Sequence, residues 1–191
     1  MTTRIFVTVG TDHHPFTRLI DWVDDWASGR NDIALTVQHG SSRPSRTGTN
    51  HELLDADEIA AEYAKADLVI SQVGPGTIAD ANGAGHRPIV VPRDPSLGEV
   101  VDDHQVAFGQ FMDARGRCVC LHTEEQLIAE VEKRMTSTGL PPLSGAELPS
   151  STAAELSVIT QQVVTSPRQR FSVRRLMTVL RSPRPPITST S

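Results

Sequence analysis

Ala66-Asp67-Leu68-Val69-Ile70-Ser71-Gln72-Val73-Gly74-Pro75-Gly76-Thr77-Ile78-Ala79-Asp80 is the stretch that decides how this chain folds. Asp67 to Ser71 reads as a strand, and its run of apolar residues fits a strand covered on both faces. Gly74-Pro75-Gly76 breaks it, and Thr77 to Ala84 reads as a helix. A buried strand running through a glycine turn into a helix is half of a βαβ unit.

The same alternation extends in both directions. Upstream, Arg4 to Val9 is a β-branched strand stopped by Gly10. Phe16, Leu19, Ile20, Val23 and Ala27 then recur at helical spacing. Ile33 to Val37 is a second strand, followed by a polar loop from Gln38 to Asn50. Ile59, Tyr63 and Ala66 share one helical face. Downstream, Pro88 to Pro92 is a fourth strand. A loop to Asp103 leads into a helix carrying Phe108, Phe111 and Met112. Cys118 to Leu121 is the fifth strand. Thr123 with Gln126 forms a capping box, opening a helix with the stripe Leu127, Ile128, Val131 and Met135. Strands separated by helices imply a doubly wound, Rossmann-like parallel sheet over residues 1–137. Residues 138–152, with three Pro and two Gly, read as a linker. Residues 153–166 read as one more helix, with Leu156, Ile159 and Val163, and 167–191 as a basic tail.

Composition removes several classes of function. The chain has 191 residues, a formal charge of −5 and 4% aromatics, a poor match to a nucleic-acid-coating surface. No run of 18 apolar residues is present, and Met1 to Val9 shows no signal-peptide pattern. Two cysteines, Cys118 and Cys120, fall on one face of a strand and read as small buried hydrophobes in a reducing setting. There is no GxxxxGK[ST] loop, no Gly-x-Ser-x-Gly elbow and no zinc-type His or Cys spacing. Charge is uneven: residues 167–191 hold six arginines and no acid, leaving the rest strongly acidic. Val173, Leu176, Met177 and Leu180 share one face there, so the tail reads as a cationic surface helix or as a solvated segment.

In open α/β sheets ligands bind beyond the carboxyl ends of the strands. Four features collect at that edge: Gly10-Thr11, Gly74-Pro75-Gly76-Thr77, Arg93-Asp94 and Asp102-Asp103-His104-Gln105. Glycines admit a phosphate close to the backbone, and a helix start offers unpaired N–H groups and a positive dipole end. Asp80 can accept both hydroxyls of a ribose. Two other readings stay open: a plain tight turn with a solvated Asp80, and a dinucleotide fingerprint Gly74-x-Gly76-x-x-Ala79 with Asp94 as its acid. His13 and His14 lie in the first strand-end loop, within reach of a substrate.

Five strings in order carry a resemblance: Ile5 to Thr11, Ala66 to Ser71, Gly74 to Ile78, Pro88 to Arg93 and Asp102 to Gln105. Over residues 4–135 the chain resembles the C-terminal domain of family 28 glycosyltransferases. It is similar above all to stand-alone versions of that half. These include the catalytic subunit of the two-part N-acetylglucosaminyltransferase of dolichol-linked oligosaccharide synthesis and bacterial exopolysaccharide relatives. The resemblance implies a GT-B half, a UDP-sugar donor and no metal or other cofactor. It implies hexosyl transfer to a lipid-linked or polysaccharide acceptor, beside a membrane-anchored acceptor-binding subunit at the inner face of the membrane. Gly74, Gly76 and Thr77 would hold the diphosphate, and Asp80 stands where the family usually has a ribose-binding Glu. Gln105, with His104 beside it, would meet the donor sugar, and Gly10, Thr11 and Arg93 would line the cleft. The general base would come from the partner, or from His13 or His14. Gln72 stands where a His is common, and Pro75 replaces a small residue. A half-domain also allows a binding subunit without turnover.

Overall fold

The structure, a computed structural model, describes residues 2–136. The linker, the additional helix and the arginine tail expected beyond 137 lie outside the described residues. Six strands form one sheet: β1 (Thr3–Thr8), β2 (Ile33–Gln38), β3 (Thr49–His51), β4 (Leu68–Gln72), β5 (Ile89–Val91) and β6 (Val119–Cys120). Five α-helices connect and flank them: α1 (Thr17–Ala27), α2 (Ala56–Lys65), α3 (Pro75–Gly83), α4 (His104–Asp113) and α5 (Glu124–Thr136). The order is β3-β2-β1-β4-β5-β6, with every pairing parallel. This is the doubly wound Rossmann-like sheet expected from the sequence. The order reverses between β1 and β4, whose register pairs Ile5 with Leu68 and Val7 with Ile70.

Side-chain alternation on the strands builds two cores. Ile5, Val7, Leu35, Leu68, Ile70, Ile89 and Val91 face α1 and α5, meeting Leu19, Ile20, Val23, Leu127 and Val131. Phe6, Val69 and Val90 point the other way, toward Tyr63 of α2, Ile78 and Ala81 of α3 and Met112 of α4. Phe6 and Tyr63 meet edge to face, with ring centroids 5.2 Å apart. Cys118 and Cys120 are free and buried on this second face. A Cβ on Gly109 would lie 2.5 Å from Cys120 Sγ, so α4 rests directly on β6.

Several boundaries differ from the sequence reading. α3 begins at Pro75, not Thr77, so Pro75 and Gly76 lie inside the helix and only Gly74 stands before it. Thr49–His51 is a strand where a loop is expected. Its three polar residues sit at the sheet edge and carry no apolar alternation. The last strand is shorter than Cys118–Leu121, with only Val119 and Cys120 in the ladder. The Thr123–Gln126 capping box is present: Gln126 N–H donates to Thr123 Oγ1 and Thr123 N–H to Gln126 Oε1, both at 3.3 Å. A second capping box, Asp55 with Glu58, opens α2. Among the described residues no helix is long and apolar enough to cross a membrane.

The β2–β3 loop is pinned by a buried acid on α1. The fully buried Asp24 carboxylate accepts from Arg43 Nη1 at 2.8 Å, Ser45 Oγ at 2.5 Å, Arg46 N–H at 2.9 Å and Thr47 Oγ1 at 2.9 Å. Burial pushes its pKa up, but these donors outweigh burial and hold it at about 2.

Candidate functional site

The strand order switches between β1 and β4, and beyond the carboxyl ends of strands at such a switch is where open α/β sheets take ligands. α3 starts there. Gly74 is its N-cap, Pro75 supplies the first helical position, and no described side chain caps the end. Pro75 carries no N–H, and its fixed φ suits a first turn. Gly76 and Thr77 N–H are among the donors that a helix leaves without an intrahelical acceptor. A Cβ on Gly76 would meet nothing within 4 Å. The first turn thus presents unpaired N–H groups, an open approach and the positive end of the helix dipole.

Behind this turn, Tyr63 Oη donates to Thr77 C=O at 3.5 Å. Burial raises the Tyr63 pKa, and the Asp80 carboxylate adds to the effect. Asp80 is solvent-exposed on α3, although partial desolvation holds its carboxyl above its ordinary range.

Beside the glycine turn, three side chains form a closed set. Gln72, at the end of β4, accepts at Oε1 from Arg93 Nε and from Gln105 Nε2, both at 3.3 Å. Gln105, in the first turn of α4, accepts the Arg93 backbone N–H at 3.1 Å. The ends of β4 and β5 and the start of α4 are therefore one hydrogen-bonded unit. Gly10 abuts it: its φ is +77°, and a Cβ there would lie 2.3 Å from Gln72 Nε2. Gly74 is also confined, since its Cβ would lie 2.7 Å from the same nitrogen.

Arg93 is at the site but faces inward. It is 1% exposed. Nη1 donates to His14 C=O at 2.6 Å and Glu99 C=O at 2.9 Å, and Nη2 donates to Val9 C=O at 2.8 Å. Its guanidinium also lies over the Phe16 ring at 4.9 Å. In this arrangement Arg93 positions loops instead of presenting its charge to a ligand. Glu99 is buried beside it, held by two contacts from Arg18 at 2.9 and 2.8 Å. His104 pairs with Asp102 next to Gln105. Thr11 is exposed in the β1–α1 loop.

The fold thus brings Gly10, Gly74, Arg93 and Gln105 into direct contact with Gln72, and sets Gly76 and Thr77 on the adjoining helix start. Gln72 enters the sequence reading only as a departure from a family pattern. The signal it gives is a polar residue ending an apolar strand. Asp94, the acid of the dinucleotide reading, is engaged by Ser96: its Oδ1 accepts from Ser96 N–H at 2.8 Å and Oγ at 2.7 Å.

The glycosyltransferase family 28 C-terminal domain profile matches residues 4–162. The chain belongs to that family. Curated relatives of this family 28 chain include UDP-N-acetylglucosamine--N-acetylmuramyl-(pentapeptide) pyrophosphoryl-undecaprenol N-acetylglucosamine transferases. The protein from Aromatoleum aromaticum is 37% identical over 87 residues, covering 45% of this chain and 23% of that protein. The one from Ralstonia nicotianae is 40% identical over 60 residues, covering 31% and 15%. Among solved structures, Acinetobacter baumannii MurG aligns with a TM-score of 0.53 at 19% identity, covering 84% of this chain and 50% of that one. The glycotransferase of kitacinnamycin aligns at 0.55 and 15% identity, covering 93% and 42%. These likenesses show the GT-B half-domain fold. The family 28 chain spans half or less of each of these solved structures and at most about a quarter of these two curated relatives.

Proposed function

We propose that this family 28 domain binds a UDP-sugar at the crevice between β1 and β4 and serves as the donor half of a hexosyltransferase. The observation that carries this reading is the uncapped start of α3, with Gly76 open to the crevice. A diphosphate accepts from the Gly76 and Thr77 N–H groups and meets the dipole end, equivalent to roughly half a positive charge. Asp80 accepts the ribose hydroxyls. The unit of Gln72 and Gln105 turns its amides toward the sugar, and Arg93 holds that unit in place.

An acceptor hydroxyl attacks the anomeric carbon, the bond to the diphosphate oxygen breaks, and UDP departs with the electron pair. Charge gathering on the diphosphate is stabilised by groups already oriented before reaction. On this reading a membrane-associated partner half supplies the acceptor wall and the general base, His13 and His14 being the other candidates for the base. The relatives named above act on undecaprenol-linked substrates by their printed names, which favours a lipid-linked acceptor, with a polysaccharide as the other class. Arginines 168 to 184 would hold the domain at an anionic membrane surface, each contributing on the order of 1 kcal/mol. Co-sedimentation of the full chain and of a chain lacking 167–191 with anionic vesicles tests that part.

Calorimetric titration with UDP tests the donor site. Gly76→Val leaves the fold intact, because its Cβ meets no neighbour, and abolishes UDP binding. Unchanged UDP affinity in the folded variant refutes the site. Turnover of UDP-sugar on adding the acceptor half separates a transferase from a subunit that binds without reacting.

A further inference from the structure

Asp12, His13 and His14 follow one another on the β1–α1 loop, joined through the His14 carbonyl to Arg93 of the hydrogen-bonded set. Asp12 Oδ1 lies 2.7 Å from His14 Nδ1 and 3.5 Å from His13 Nδ1. The two imidazole rings are 3.9 Å apart, centroid to centroid, at a tilt of 42°. One ligand atom from each residue lies within 4.8 Å of the other two. At metal–ligand bonds of about 2.0–2.2 Å, two ligands of a tetrahedral ion stand roughly 3.4 Å apart, so little movement would close this set around one ion.

The backbone beneath these donors is held by groups from elsewhere in the fold. His14 N–H donates to Asp12 Oδ1 at 2.8 Å, holding the carboxylate beside the two Nδ1 atoms. His14 C=O accepts from Arg93 Nη1 at 2.6 Å. Asp12 C=O accepts from Ser41 Oγ at 3.2 Å, and Phe16 N–H donates to Ser42 Oγ at 2.7 Å. His13 is 85% exposed, yet its ring folds back over His14 and toward Asp12.

We propose that Asp12, His13 and His14 bind a divalent transition-metal ion of the zinc type, through two imidazole nitrogens and one carboxylate oxygen. Three protein ligands leave a coordination position open to water or a further ligand, as in catalytic zinc sites. Nitrogen donors favour Zn2+, Co2+, Ni2+ and Cu2+ over Mg2+ and Ca2+. The site stands on its own donors and does not depend on what occupies the α3 start.

The test is titration of the purified 191-residue chain with Zn2+ by calorimetry and with Co2+ by visible absorption, at pH 7.5 and with Mg2+ present in millimolar excess. One saturable site per chain is expected, with Co2+ bands of a nitrogen-rich low-coordinate ion. His13→Ala removes an exposed side chain, so the fold survives and affinity falls at least about tenfold, the smallest loss usual for the supporting residues of a metal site. His14→Gln and Asp12→Asn lower it similarly, and His122→Gln, at the far end of the sheet, leaves it unchanged. Failure to saturate by about 1 mM, displacement by Mg2+, or full affinity in both His13→Ala and His14→Gln overturns the proposal.

Discussion

Gly10 and Gln72 compete for one volume: a Cβ added at Gly10 would lie 2.3 Å from Gln72 Nε2. Gly10 also holds φ +77°, where an L side chain costs roughly 1–2 kcal/mol. Gly10→Ala is therefore expected to lower stability by about 2 kcal/mol and to displace the Gln72 amide from Gln105. Gln72→Ala removes the obstacle but not the backbone strain. In a double-mutant cycle read by urea unfolding, the two changes together should cost less than their sum. Strict additivity would show that the two residues do not share this space.

Asp80 and Gln105 are expected to separate by ligand. Asp80→Ala should weaken UDP and UDP-sugar alike, by roughly 1.5–3 kcal/mol for lost hydrogen bonds to a charged group. Gln105→Ala should weaken the UDP-sugar more than UDP. Calorimetry with both ligands checks this, and the opposite pattern reassigns the two residues.

Arg93 differs from the other site residues in carrying structure. Arg93→Ala leaves the carbonyls of Val9, His14 and Glu99 without a donor, and each unpaired buried carbonyl costs about 1–3 kcal/mol. A loss of at least about 3 kcal/mol in urea unfolding is expected. A loss below about 1 kcal/mol would mean that water or a neighbouring donor takes over.

Asp24 gives an acid limb to the stability. Its folded pKa, about 2, lies below the ordinary carboxylate value. Its contribution is thus complete above about pH 5 and is lost as pH falls toward 2. That contribution is about 2 kcal/mol. Asp24→Asn should lose it at pH 7 and flatten the decline between pH 5 and 2. A variant as acid-sensitive as the parent would place the titration elsewhere.

The periodic elements were legible because burial writes itself into spacing. Val69 and Ile70 read as a strand covered on both faces, and Leu127 and Val131 as a helix stripe. Gly74 to Thr77 was legible because glycine and proline after an apolar run mark the end of a strand, although Pro75 and Gly76 themselves belong to α3. Two things were not visible. β3 is three polar edge residues, and nothing local distinguishes Thr49–His51 from loop. The inward aim of Arg93 depends on Val9, His14 and Glu99, two of them about 80 residues away in sequence, and an arginine after a strand looks the same whether it greets a ligand or staples loops. Gln72 was hidden for a related reason: its importance comes from Arg93 and Gln105, which only the tertiary fold delivers.

The three carbonyls gathered by Arg93 belong to the end of β1, the β1–α1 loop and the segment after β5. One buried cation thus makes those segments a single mechanical piece. None can flap over a ligand alone without stranding the guanidinium. A displacement of any one of the three therefore has to carry the other two with it.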